Sequence, residues 1–211
     1  MRVISRILNF FIIYMTSFIP QEFKIPKLKG LSEKSVEEHL KLYQGYVKNA
    51  NLILEHIEEF AGDSEKRAYE LGELQRRFSF EFNGMRNHEF YFSSLEGGST
   101  SLTTSGHLYK EIEATWNSFE LFIARFKAIA MTRGIGWAML YWDPHCKRLL
   151  TQWVDEQHLG QLSGCTPIIA LDMWEHSFVF DYQPSGKKNY VEDFFANLNW
   201  KKIEENLDNA N

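Results

Sequence analysis

Cysteine is scarce. Cys146 and Cys165 stand alone, and neither belongs to a CxxC. Reduced, half-buried thiols in a reducing compartment are therefore expected, which points to the cytoplasm. No basic tract occurs. Lys and Arg number 23 against 28 Asp and Glu, a formal charge of −5, so a nucleic-acid role finds no support. Long apolar runs are also missing. The one nearly apolar stretch, Ile7 to Met15 in "MRVISRILNFFIIYMTSFIP", follows Arg2 and Arg6 and is too short to span a bilayer comfortably. It has the charged and apolar regions of a secretion signal, but no small-x-small cleavage site follows. Residues 1–20 thus read as a packed or peripheral segment, as a signal or anchor, or as the product of a misplaced start. The second of these would make the protein exported or membrane-associated. Repeats and low-complexity tracts are absent.

What is present is core-forming sequence. Hydrophobic residues make up 44% of 211 and aromatics 15%, enough for one large domain or two small ones. The stretch "SEKSVEEHLKLYQGYVKNANLILEHIEEF" reads as a long helix capped by Ser32 or Ser35. "AGDSEKRAY" reads as a turn, and Arg67 to Phe92 as a second helix that tolerates Gly72 and Gly84. "LEGGSTSLTTSG" marks a boundary. Beyond it come one or two helices, then strands at Trp137 to Trp142 and Arg148 to Val154 joined by a turn at "DPHC". A third strand follows in "TPIIALDMW", and "YVEDFFANLNWKKIEENL" closes the chain as one helix. The predicted class is α+β: an N-terminal extension (1–29), a long α-hairpin domain (30–97) and a mixed α/β domain with a three-stranded antiparallel sheet (98–211).

One stretch resists a purely structural reading. "ALDMWEHSFVF" interrupts apolar sequence with Asp172, Glu175 and His176. Buried charge costs several kcal/mol, roughly, unless something pairs with it, and a metal cation is one such partner. Asp172 and His176 are four apart, so a helix would point both one way, and a strand running into a turn would also bring them together. His39 shares a helix face with Tyr43 and Tyr46. His88 lies in "FNGMRNHEFYF". Three imidazoles and one carboxylate suit iron or manganese, and the small positive charge left over suits an anionic substrate. By spacing alone each of these remains open to a bland reading, as a packed core histidine or an accidental pair. His56, His107, His145 and His158 have no companions that raise them; His158 neighbours Gln157.

"LDMWEHSFVFDY" resembles the D-x-W-E-H-A-Y-Y signature of the iron/manganese superoxide dismutases. "FNGMRNHEFYFSSLEGG", "GIGWAML", "NLNWKKIEENL" and "HLKLYQGYVKNANLI" resemble that family's second helix, G-S-G-W strand, closing helix and first helix. The likeness runs from about Gly30 to Leu207. It implies the disproportionation of two superoxide anions and two protons to dioxygen and hydrogen peroxide, by one-electron cycling of a single ion. The implied metal ligands are His39, His88, Asp172 and His176. Glu175 would hydrogen-bond His176 of the opposite subunit, making a homodimer or a dimer of dimers and giving a buried Glu its partner. Trp137 and Trp174 would wall the pocket. Tyr46 would be the gateway tyrosine that relays protons. Gln157 would tune the solvent on the metal, and with Gly84 where iron enzymes carry their glutamine, it favours manganese over iron. No organic cofactor is implied.

Three departures from the family pattern stand out. His39 and Tyr46 are seven residues apart rather than eight, which regular α spacing accommodates without the family's local widening. The family's cross-interface histidine and tyrosine are replaced together by Leu42 and Val179, a change that leaves no polar group orphaned. Lys187 and Lys188 stand where an Arg-Pro is usual, and a lysine draws an anion without an arginine's rigid fork. A redox protein of this type without dismutase activity, or a non-catalytic metal-binding relative, would be the alternatives.

Overall fold

The computed structural model describes residues 17–210. The readings of residues 1–16 lie outside the described residues. Residues 17–32 run without regular structure along the first two helices. The Phe18 amide donates to Asn51 Oδ1 and the Gln21 amide to the Tyr43 hydroxyl, both at 2.8 Å.

Helix α1 spans Glu33–Ala61. Ser32 caps it, its hydroxyl accepting from the Ser35 amide, so the first of the two candidate caps is the one used. Its buried stripe, Ser35, His39, Tyr43, Val47, Ala50 and Ile53, steps by three and four, as an amphipathic helix must. Helix α2, Ala68–Leu95, buries only its second half, from Glu81 onward. The far end of the α1–α2 hairpin therefore projects past the core, and its near end carries the residues that face inward.

Two helices follow, α3 (His107–Trp116) and α4 (Phe119–Ala130). Then comes a sheet of β1 (Gly136–Asp143), β2 (Arg148–Asp155) and β3 (Thr166–Asp172) in the order β2-β1-β3, antiparallel throughout. As the middle strand, β1 is covered on both faces and buried from Gly136 to Trp142, which accounts for its unbroken apolar sequence. Its register sets Trp137 opposite Asp172 on one side and Val154 on the other.

The end of the chain differs from the single helix expected. It forms α5 (Lys187–Asn197) and α6 (Trp200–Asp208). Asn199 makes the break. Its side chain caps α6 by accepting from the Lys202 amide, and its Nδ2 donates to the Glu96 carbonyl at 2.7 Å. Its backbone amide donates to the Ser94 carbonyl, also at 2.7 Å. A residue tied to the end of α2 in this way cannot continue α5. Cys165 is half-buried as expected, but Cys146 is exposed in the β1–β2 turn; both are free. Among the described residues, no helix is long and apolar enough to cross a membrane.

Candidate metal centre

Four distant parts of the chain meet at one point. α1 brings His39, α2 brings His88, the last residue of β3 is Asp172, and a short 3-10 turn at Glu175–Ser177 brings His176. Asp172 and His176 are thus joined by a strand running into a turn. One donor atom from each residue lies within 4.8 Å of all the others, and this is the one such His/Cys/Asp/Glu grouping among the described residues. Asp172 Oδ2 is the hub: 3.1 Å from His39 Nε2, 3.0 Å from His176 Nε2 and 3.5 Å from His88 Nε2. His39, His88 and Asp172 are buried, and His176 is half-buried.

The hydrogen bonds fix which atoms are free to bind. His88 Nδ1 lies 2.6 Å from the Gly84 carbonyl. A carbonyl only accepts, so Nδ1 carries the proton and Nε2 of the neutral ring presents a lone pair to the cluster. That Nε2 is buried without a hydrogen-bond partner. An unsatisfied buried polar atom costs about 1–3 kcal/mol, and a cation among these four donors would satisfy it. Asp172 is held from both ends. Its Oδ1 accepts from the Trp174 amide at 2.8 Å, and its backbone carbonyl accepts from the Tyr190 and Ser177 hydroxyls at 2.8 and 3.0 Å. Oδ2 is left facing the imidazoles.

The electrostatics agree with this donor set. Burial lowers the His39 and His88 pKa values, the latter to about 3. Burial alone would raise Asp172, but His176 and His39 outweigh it and hold the carboxyl below its ordinary range. A neutral His39 and His88 beside an ionised Asp172 are protonation states that metal binding needs.

A second layer of contacts supports the cluster. The Trp137 indole N–H donates to Gln157 Oε1 at 2.8 Å. An indole nitrogen only donates, so the orientation of the Gln157 amide follows. Its Nε2 then donates to the Tyr46 hydroxyl oxygen, also at 2.8 Å, which leaves the phenol proton available to the pocket. Burial pushes the Tyr46 pKa well above that of free tyrosine, with the carboxylates of Asp172 and Glu81 adding to it, so the resting side chain is the neutral phenol. Asn87 Nδ2 donates to the Gln157 carbonyl at 3.1 Å. Gly84 is the position beside which Tyr46 lies flat: a Cβ there would sit 2.5 Å from a ring carbon. No side chain fits at 84 with Tyr46 in place, and the buried amide comes instead from Gln157, which is fully buried.

A cleft of about 370 Å³ leads from solvent to His176. Tyr46, Trp174 and Phe80 form its apolar walls, and Leu42 lies at its edge. The Trp174 ring stacks on His176 at 5.7 Å and its N–H donates to the Glu156 carbonyl. Trp137 lies edge-on to His88 at 5.0 Å. A larger cleft of about 510 Å³ opens near the projecting end of the hairpin, between Phe60 and Leu74, away from the cluster.

The expected positions therefore largely converge. His39, His88, Asp172, His176, Tyr46, Gln157, Trp137 and Trp174 all meet, and α1 is a continuous α-helix from His39 to Tyr46, so seven residues put both on one face. Glu175, expected to meet His176 of an opposite subunit, stands at the start of the 3-10 turn and is exposed in the single chain. Lys187 is turned elsewhere. Its Nζ donates to the Thr132 carbonyl and lies over the Trp153 ring, and neither it nor Lys188 lines the cleft. Sequence reasoning missed Asn87 and Tyr190. The N-H pair at Asn87–His88 offered a signal for the first; nothing local marked the second.

A family model described as iron/manganese superoxide dismutases, C-terminal domain, matches residues 104–206. The superoxide dismutase [Fe] of Cupriavidus metallidurans is 37% identical over 180 residues, covering 83% of this chain and 88% of that protein. The superoxide dismutase [Mn/Fe] of Aeropyrum pernix is 30% identical over 208 residues, 93% and 94% of the two chains. The superoxide dismutase [Mn] of Mycobacterium leprae is 32% identical over 167 residues, 79% of each.

Proposed function

The chain belongs to the iron/manganese superoxide dismutase family, and from that premise we propose that it disproportionates superoxide at the His39, His88, Asp172 and His176 cluster. The observation that carries this reading is the His88 Nε2 lone pair, buried without a partner and aimed at Asp172 Oδ2. An iron or manganese ion held there supplies one-electron exchange. One superoxide gives up an electron and leaves as dioxygen; a second gains that electron, takes two protons and leaves as hydrogen peroxide.

The chain's own residues divide the remaining work. Three imidazoles and one carboxylate set the charge at the site. Trp137 and Trp174 keep bulk water from it. Gln157, locked by Trp137, holds the Tyr46 oxygen, so the phenol proton stands ready at the end of the cleft. The proton that Tyr46 donates is replaced from solvent through the same opening.

Manganese is our assignment over iron. It is supported by the source of the amide, Gln157 rather than position 84, and by the lack of room at Gly84. Relatives of both kinds, named [Fe] and [Mn], are similar to this chain, so the metal is a point for measurement. We further assign a homodimer in which Glu175 reaches His176 of the partner subunit. The exposed carboxylate of Glu175 and the exposed apolar side chains of Leu42, Val179 and Phe180 support this. Leu42 and Val179 would then pack where the family has a histidine and a tyrosine. The free thiols of Cys146 and Cys165 support a reducing compartment such as the cytoplasm.

Superoxide consumption by the metal-replete protein, measured alongside its metal content, tests the reading. A rate proportional to bound manganese or iron is expected. Stoichiometric metal with no rate above the uncatalysed reaction would overturn it.

A further inference from the structure

The cleft holds a charge pair that the chemistry above does not use. Glu81 lies in α2, 4% exposed, with its carboxylate on the wall shared with Tyr46 and Phe80. Asn49 Nδ2, at 3.5 Å, offers it only a long contact. Its principal partner is Arg77, one turn earlier. Arg77 Nε and Nη2 both approach Glu81 Oε1, at 2.8 and 2.7 Å. The guanidinium carbon lies over the Phe80 ring, 3.8 Å from the centroid, a cation–π contact that holds its position.

Arg77 is the one lysine or arginine among the described residues lining this cleft. Lys187 and Lys188, which stand where an Arg-Pro is usual, are not part of it. An anion entering toward His176 therefore passes one acidic side chain, Glu81, and one basic side chain, Arg77, on the wall. Without Arg77, a desolvated carboxylate would stand in the path of a negatively charged substrate. The side chain is half exposed, 51%, and lines both this cleft and the larger one near the end of the hairpin, so pairing with Glu81 does not bury it.

We propose that Arg77, held by Phe80 and Glu81, is the positioning residue that makes this cleft accept an anion, and that its main task is to cancel the field of Glu81. The inference rests on the cleft serving superoxide, as proposed above, but its physical content is wider: any small anion approaching Trp174 and His176 feels the same pair.

The test compares Arg77→Gln with Arg77→Gln/Glu81→Gln in the full-length, metal-loaded protein. Superoxide decay is followed as a function of ionic strength. In parallel, the metal-free protein in a Trp153→Phe background is titrated with iodide and with acrylamide, reading fluorescence of Trp174, the half-exposed indole that remains. The single variant should lose about three- to tenfold in rate at low salt, within the range by which charged clefts alter association. The loss should shrink toward high salt, where charges are screened. The double variant should recover most of the rate, because no carboxylate is left uncompensated. Iodide quenching should fall about twofold in the single variant, with acrylamide quenching unchanged, since only the anion senses the pair.

An unchanged rate and salt slope in Arg77→Gln overturn the proposal. So does a loss that is equal at all salt concentrations and persists in the double variant, which would mark a structural role. If the parent protein consumes no superoxide, the function reading fails by itself, and the iodide comparison still decides Arg77: equal quenching in parent and single variant rejects it.

Discussion

Gly84→Ala puts two opposed effects in competition at one carbon. Alanine in a helix interior is favoured over glycine by about 1 kcal/mol, and Gly84 lies well inside α2. On propensity alone the variant should be more stable. The structure says otherwise. The added Cβ would lie 2.5, 2.6 and 3.0 Å from Tyr46 Cδ1, Cε1 and Cγ. These are not the tip of a flexible chain but one edge of a planar ring, reaching back to its root. Tyr46 is also tied at its far end by the Gln157 amide. Moving the ring therefore means overpacking, at about 1–3 kcal/mol, and loss of a buried hydrogen bond, at about 1 kcal/mol. The sum predicts a net destabilisation of about 1–3 kcal/mol after the helix gain is subtracted. Activity should fall severalfold, because the phenol no longer faces the cluster. Urea denaturation of the metal-free protein reads the first effect, and superoxide decay by the loaded protein reads the second. A variant that is about 1 kcal/mol more stable and fully active would refute the claim that Gly84 exists to make room for Tyr46.

Three other outcomes follow from the same geometry. Gln157→Leu leaves the Trp137 indole N–H and the Tyr46 oxygen without their partner; it should destabilise the fold by about 1–3 kcal/mol and lower turnover at least tenfold, read by denaturation and stopped-flow decay. The metal-free protein should weaken in acid. Below about 6.5 the unfolded chain protonates its imidazoles, whereas folded His88 waits until about 3 and folded His39 also titrates low. Unfolding therefore takes up protons, and stability falls with pH across that window by about 1.4 kcal/mol per unit for each such imidazole; thermal midpoints that stay level from pH 7 to pH 4 would contradict this. Glu175→Ala should shift the assembly toward monomer in sedimentation velocity, with midpoint concentration rising about tenfold or more, while each chain keeps its fold, since Glu175 is exposed in the single chain.

Much of the architecture was legible in residue patterns. The α1 stripe, the β1–β2 hairpin and its "DPHC" turn, and the Gly/Ser/Thr connection from 95 to 106 all carry local signals, and each element formed within a few residues of its expected bounds. The break at Asn199 was not legible, because "YVEDFFANLNWKKIEENL" is apolar with helical period on both sides. What interrupts it is a hydrogen bond to Glu96, more than a hundred residues away in sequence. The metal cluster shows a similar division. Spacing brought out Asp172 with His176 and left His39 and His88 as candidates beside them, but fixing the four as one ligand set required the family resemblance, since the meeting of α1, α2 and β3 is a tertiary fact. Arg77 and Glu81 escaped notice altogether. As an i, i+4 Arg–Glu pair they look like any solvated helix face, and only the fold puts them beside Tyr46.

Anomalous scattering from crystals of the metal-replete protein, collected on either side of the iron and manganese absorption edges, tests the central claim most directly. The account predicts one peak per chain, stronger above the manganese edge, bonded to nitrogen or oxygen donors of His39, His88, Asp172 and His176. A fully loaded crystal with no peak among those four side chains, or with a peak from which His39 is turned away, would contradict it.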